Sequence, residues 1–160
     1  LSTLHTNDAA TALLRLTDMK IEPFLVASTV NVIVAQRLVR KICDMCRISI
    51  DVTQSDLMKN IPPELAKKHF GTKKEVRIFR GNGCKVCHFT GFTGRIGLFE
   101  VLQVNNAIRK LITQKADSDI ITKQAIEDGM TTMLDDGMEK VLKGSTSIEE
   151  VLRVTKIGLK

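Results

Sequence analysis

Four cysteines carry the clearest chemistry in this chain. They fall as Cys43-Asp-Met-Cys46 and Cys84-Lys-Val-Cys87, two C-x-x-C pairs separated by 37 residues, and no cysteine is left over. A C-x-x-C turn presents two thiolates to one ion, and two such turns complete the tetrahedral four-sulfur shell that structural zinc prefers. Lys41 and Arg47 flank the first pair, and Gly81, Gly83, Gly91 and Gly94 surround the second. Glycines suit the tight loops of a metal knuckle. The other readings fit less well. Disulfides need an oxidising compartment that nothing in the sequence indicates. A thioredoxin-type redox site uses one such pair at a strand-to-helix junction, whereas two occur here in loop-like settings. The 37-residue spacer exceeds that of an ordinary zinc ribbon and reads as an insertion between knuckles. His69 and His88 are alternative ligands, but four cysteines already fill the shell, so both are expected on the surface.

The surroundings are those of an ordinary globular protein. The chain has 160 residues, 43% hydrophobic and 26% charged, with a net charge of +6. This excludes a disordered tail, a collagen-like fibre and a disulfide-dense mini-protein. No apolar run approaches the roughly 20 residues of a membrane span, and no secretory signal is visible. The chain opens on Leu1 inside an apolar phrase, which reads as a piece of something longer. Charge is uneven: residues 1–42 sum to +2, residues 43–116 to +7 and residues 117–160 to −3. The basic excess peaks at Lys67, Lys68, Lys73, Lys74, Arg77 and Arg80, between the knuckles. A solvated face is the simpler reading; a patch for an anionic surface is the functional one. With only Phe70 and Phe79 nearby and no Trp or Tyr, a base-stacking platform is poorly equipped.

The elements that must position these residues can be read coarsely. Leu1 to Leu4 reads as the end of a buried strand, followed by a polar turn. Asn7 or Asp8 can cap a helix to about Asp18, with Leu13, Leu14 and Leu16 inward. Pro23 opens a second helix, expected to run to about Val34. Arg37 to Ile42 alternates as a strand leading into the first knuckle. Residues 53–70 read as helical with a break at Pro62-Pro63, and Val76 to Phe79 and Arg95 to Leu102 as strands. From Asn105 onward the pattern is helical: Ile108, Leu111 and Ile112 form one stripe, and Leu134, Met138, Val141 and Leu142 another. Gly144 is placed to end that helix, and Ser147-Ile-Glu-Glu150 is a capping box for the next. The Met and Leu stripes are core packing.

Several phrases together resemble a family. Ser2-Thr-Leu-His-Thr-Asn-Asp8 is similar to the histidine box of the ATPases that drive type II secretion and type IV pilus assembly in bacteria. Ala35-Gln-Arg-Leu-Val-Arg-Lys-Ile-Cys43 is similar to the segment leading into their metal-binding subdomain. Thr90-Gly-Phe-Thr-Gly-Arg-Ile-Gly-Leu-Phe-Glu-Val-Leu102 and Gly129 to Thr155 match in the same order. The paired cysteines point to the assembly branch, because the retraction motors of that family generally lack the subdomain.

The resemblance implies an α/β fold: the C-terminal portion of a RecA-like ATPase domain, with an inserted tetracysteine zinc-binding subdomain and a C-terminal helical subdomain. Residues 1–42 would close the ATPase core, 43–92 form the zinc subdomain and 93–160 the mainly helical one. The implied parent is a cytoplasmic homo-hexamer, peripheral to the inner membrane. It would use ATP and Mg²⁺ to work on platform proteins of a secretion or pilus machine, with no nucleic-acid partner. His5 would lie near the nucleotide's γ-phosphate as the one catalytic candidate in this segment, with Zn²⁺ at Cys43, Cys46, Cys84 and Cys87. His5 has a plainer reading as a polar turn residue orienting Asn7 and Asp8. Arg37 and Arg40 read as ion-pair partners. No G-x-x-x-x-G-K-[ST] phosphate loop occurs in the 160 residues, so this segment alone is expected not to hydrolyse ATP. The alternative is a free-standing zinc-ribbon module that binds nucleic acid or protein through residues 67–80.

Overall fold

The computed structural model describes residues 1–61, 63–71 and 74–155, with backbone only for 58–60. The elements run α1 (Ala9–Asp18), α2 (Pro23–Thr29), β1 (Val32–Ile42), β2 (Arg47–Thr53), α3 (Gln54–Asn60), α4 (Pro63–Phe70), β3 (Glu75–Gly81), a 3₁₀ turn (Lys85–Cys87), β4 (Phe92–Gln103), α5 (Asn106–Thr113), α6 (Ser118–Glu127), α7 (Met133–Leu142) and α8 (Ile148–Thr155). The protein is mixed α/β, with two two-stranded sheets: β1 pairs with β4, and β2 with β3. Pro62 and Lys73, which belong to the expected helix break and basic stretch, lie outside the described residues. No described helix is long and apolar enough to cross a membrane.

Two compact units form. The first comprises residues 1–36 and 99–133, the second 37–98 and 134–160. The first unit is built on helix faces. Asp8 caps α1, its carboxylate accepting the Thr11 N–H at 2.7 Å. That cap turns Ala9, Ala10 and Leu13 inward, where they join Val26, Leu102, Val104, Ile108, Ile112 and Ile121 in one apolar core. Asn105 caps α5 in the same way, through the Ile108 N–H. Arg109, on α5, reaches back to the Ala27 carbonyl and the Asn31 side chain, fastening the end of α2.

Two expectations fail in this unit. Leu1 to Leu4 is not a buried strand: residues 1–6 carry no regular structure and Leu1 is fully exposed. An apolar run becomes a strand only where a ladder partner exists, and none is present among the described residues. The helix opened by Pro23 stops at Thr29 instead of continuing to Val34. Val30, Val32, Ile33 and Val34 are β-branched, and their stiff side chains favour the pleated backbone that β1 adopts from Val32.

The second unit holds both knuckles. Its β2–β3 hairpin is antiparallel, pairing Arg47 with Gly81 and Thr53 with Glu75, so the hairpin base sits where the cysteine pairs begin and end. Val39, Ile42, Leu98, Met138, Val141 and Val151 are among its fully buried side chains. Gly144 has a left-handed backbone (φ 71°) just past α7, as its position predicted, and Ser145 N–H closes the end onto the Lys140 carbonyl. The Ser147 hydroxyl takes the Glu150 N–H at 3.5 Å, which is half of the expected capping box. The Glu150 carboxylate goes elsewhere: its oxygens accept from Arg40 and Arg153.

Candidate metal centre

The end of β1 delivers Cys43, and the start of β2 follows Cys46, so the first knuckle is the turn between two strands. Its backbone closes with Cys46 N–H donating to the Cys43 carbonyl at 3.3 Å. The second knuckle follows β3 and contains the 3₁₀ turn, after which Phe89 N–H returns to the Cys84 carbonyl at 2.9 Å and Thr90 N–H to that of Cys87 at 3.1 Å. His88 and Phe89 both have positive φ there, 50° and 60°, the cost of turning the chain so tightly with non-glycine residues. Two backbone bonds join the knuckles: Cys43 N–H to the Gly91 carbonyl at 3.0 Å, and Asn82 N–H to the Cys46 carbonyl at 2.9 Å. Gly81 and Gly91 make that junction possible. A Cβ on Gly91 would stand 2.8 Å from the Gly81 carbonyl oxygen, and one on Gly81 would run into the Gly91 backbone.

The result brings the four sulfurs within 4.8 Å of one another. Cys43 Sγ lies 3.9 Å from Cys84 Sγ, Cys46 Sγ 3.8 Å from Cys87 Sγ, and Cys84 Sγ 3.7 Å from Cys87 Sγ. A zinc–thiolate bond of about 2.3 Å in a regular tetrahedron sets sulfur–sulfur edges of about 3.8 Å. A disulfide requires about 2.05 Å, so the cysteines are unpaired thiols whose spacing fits one four-coordinate ion. Cys43 and Cys87 are buried and the other two partly covered. Two N–H groups point at one sulfur: Cys84 N–H at 3.2 Å and Gly91 N–H at 3.3 Å, both donating to Cys87 Sγ.

The surroundings of the thiols favour negative sulfur at Cys87 and Cys43 and oppose it at Cys46. Burial pushes the Cys87 thiol up, but the N–H groups of Cys84 and Gly91 and the neighbouring thiols of Cys84 and Cys46 outweigh it, bringing the thiol down to about 6. The Thr93 side chain leads the interactions that lower Cys43, against an opposing effect of burial. Cys46 is pushed up to about 12, mainly by burial. One thiolate therefore forms readily while another holds its proton, and a cation entering the cluster must displace that proton.

The remaining predicted residues fall elsewhere. His5 is exposed, on the irregular stretch before α1 in the first unit, and is not one of the clustered ligands. His88 is exposed, as expected. His69 is not a surface histidine: its side chain is 10% exposed and its Nε2 meets Asp135 Oδ1 at 2.7 Å, because α4 lays the ring against an acid of α7. Lys68 Nζ reaches the same carboxylate at 2.7 Å, and Arg77 meets Asp51 at 3.3 Å, so part of the basic stretch is occupied by acids. Arg40 is an ion-pair partner, as predicted, with Glu150 at 2.8 Å. Sequence reasoning missed Glu100, a buried acid in β4. The available signal was its parity: Leu98, Glu100 and Leu102 share the inward face of one strand.

Residues 1–153 match the family described as "Type II/IV secretion system protein". The chain is 40% identical over 156 residues to the type II secretion system protein E of Aeromonas hydrophila, covering 98% of this chain and 29% of that protein. It is 39% identical over 158 residues to the type II secretion system ATPase E of Vibrio cholerae, with coverage of 98% and 29%. Against the type IV pilus assembly ATPase PilB of Pseudomonas aeruginosa it is 38% identical over 156 residues, covering 98% and 26%. The chain thus spans under a third of the length of these relatives, and within that span it belongs to the type II/IV secretion system protein family.

Proposed function

We propose that this chain works as the C-terminal part of a hexameric, RecA-like motor ATPase that powers type II secretion or type IV pilus assembly. The observation that carries this reading is the match over 98% of the chain to relatives named as ATPases of those two machines. Residues 1–42 close the ATPase core, 43–92 form a metal subdomain and 93–160 the mainly helical end. Zn²⁺ bound by Cys43, Cys46, Cys84 and Cys87 would hold the two knuckles together as structure, without reacting. ATP and Mg²⁺ belong to the parent motor, which works in the cytoplasm against inner-membrane platform proteins. His5 takes part in the chemistry near the γ-phosphate: a neutral imidazole there can donate a hydrogen bond to phosphate or orient the attacking water. With no phosphate loop in the 160 residues, binding energy for the phosphates must come from other parts of the parent.

The test is a pair of assays. The full-length protein containing this segment should hydrolyse ATP as an assembled ring, and the 160-residue chain alone should not. A folded full-length protein without turnover, or turnover by the isolated chain, would overturn the reading.

A further inference from the structure

Glu100 is a carboxylate buried to 7% exposure on the inward face of β4. Burying a charge is costly unless it is paired or well hydrogen-bonded. Among the described residues no Lys, Arg or His pairs with it. Its two oxygens each take one backbone donor: Oε1 accepts the Ala9 N–H at 3.0 Å, and Oε2 accepts the Met133 N–H at 3.2 Å. Ala9 and Met133 are the first residues of α1 and α7, both of ten residues. Each helix N-terminus carries roughly half a positive charge, and Glu100 shares that charge with Asp8 at the start of α1 and with Asp135 and Asp136 in the first turn of α7. One acid is thereby shared between the starts of two helices.

The start of α1 is also where the histidine box ends. Asp8 caps the helix, the Thr6 hydroxyl donates to the Asp8 carbonyl at 3.1 Å, and His5 precedes them on a stretch with no strand or helix of its own. A loop without regular structure takes its position from where it is anchored, and the anchor here is the capped first turn that Glu100 grips from within.

We propose that Glu100 is a positioning residue for His5: by holding the first N–H of α1 it fixes the origin of the histidine loop and so the placement of the imidazole. The proposal rests on the reading of His5 as a participant in ATP hydrolysis. It assigns a mechanistic role to an acid that acts through backbone amides. Glutamine is the informative replacement. It keeps the shape, but its amide can accept from one N–H only and turns an NH₂ donor toward the other. The start of α1 or of α7 must then shift.

The experiment uses the full-length motor as an assembled ring, comparing Glu100→Gln, His5→Ala and the double variant. Misplacing a reacting group by about 1 Å can cost about 10²-fold in rate, so Glu100→Gln should lower kcat by about 10- to 100-fold. The KM for ATP should stay within about threefold, because affinity is supplied elsewhere. Residues acting through one another are non-additive; the double variant should therefore turn over no more slowly than His5→Ala, within about threefold. Normal kcat in assembled Glu100→Gln rings while His5→Ala is slow, or losses that multiply in the double variant, would overturn the role of Glu100 alone. Normal kcat for His5→Ala would overturn the reading of His5 and the positioning role with it. If Glu100→Gln does not assemble, Glu100→Asp keeps the charge and retracts it by one C–C bond, ~1.5 Å. That variant should show the same selective loss of kcat, and a lowered melting temperature with full turnover would overturn the proposal.

Discussion

Glu150 holds Arg40 twice, by its backbone and by its side chain. Oε2 accepts the Arg40 N–H at 2.9 Å and Oε1 the Arg40 guanidinium at 2.8 Å, with the Glu150 side chain only 3% exposed. Arg153 donates to both oxygens from one turn further along α8, and Arg40 stacks over the Phe92 ring at 4.3 Å. Arg40 lies three residues before Cys43, so this acid on α8 fixes the strand end that delivers the first ligand. Thr146 adds a second tie, its hydroxyl donating to the Arg40 carbonyl at 2.8 Å.

Removing that carboxylate leaves the Arg40 N–H without its acceptor and two guanidiniums without their acid. The two guanidiniums left behind are half-exposed and can be hydrated, so the cost is mainly that of the orphaned Arg40 N–H and the lost charge-assisted hydrogen bonds, about 1–3 kcal/mol. Glu150→Ala should therefore destabilise the metal-loaded chain by about that amount, measured by chemical denaturation. A loss below about 1 kcal/mol would mean that the pair is solvated.

The same carboxylate gives a signed pH dependence. Burial alone would push it up, but hydrogen bonds from Arg153 and Arg40 hold it down to about 2, from an ordinary 4.5. A depressed carboxylate contributes stability that is complete above the unfolded value and lost as pH falls toward the folded one. The stability advantage of the native chain over Glu150→Gln should be constant above pH 5 and shrink between about pH 4.5 and 2. Comparing the two proteins cancels the acid sensitivity of the metal site, and an advantage that grows on acidification would contradict the assignment.

The Gly81–Gly91 junction predicts a position-specific effect. Gly81→Ala must push backbone against backbone, since the atoms its Cβ meets belong to Gly91 itself. Overpacking of this kind costs about 1–3 kcal/mol or more, and here it would pry the second knuckle from the hairpin. Gly94→Ala is the control: its Cβ meets nothing within 4 Å, leaving only the strain of φ +72°. Zinc retention against a chelator should fall much further for Gly81→Ala than for Gly94→Ala; equal losses would place the strain elsewhere.

The basic stretch should not make this a nucleic-acid binder. Lys68 and Arg77 already face acids, and no Trp or Tyr is present to stack on bases. Duplex DNA or RNA should bind no tighter than micromolar at physiological salt, with the steep salt dependence of non-specific attraction. Sub-micromolar binding lost on Lys67→Ala and Lys74→Ala would revive the free-standing zinc-ribbon alternative.

What the sequence made legible was local. The C-x-x-C spacing is a short-range device, and the four sulfurs do converge because each pair needs only its own turn and one junction. The cap at Asp8, the stop at Gly144 and the strands at Arg37–Ile42 and Arg95–Leu102 were readable for the same reason. The failures were of two kinds. Phe24 to Val34 is an apolar run whose periodicity does not separate helix from strand, and β-branching decided it from Val30 onward. Glu150, Glu100 and His69 take partners 110, 91 and 66 residues away, and no local pattern encodes that. Ser147 and Glu150 have capping-box spacing, but the Glu150 carboxylate serves a strand.

One zinc ion held by the four cysteines should organise the segment between them. Structural zinc contributes on the order of 10 kcal/mol of folding free energy, so the ion should co-purify without being added. The most direct measurement is zinc X-ray absorption on such protein, with metal and chain quantified together. One zinc per chain in a shell of four sulfurs at about 2.3 Å is the predicted result. Well under one equivalent, a shell containing nitrogen or oxygen, or cysteines recovered as disulfides would contradict the account.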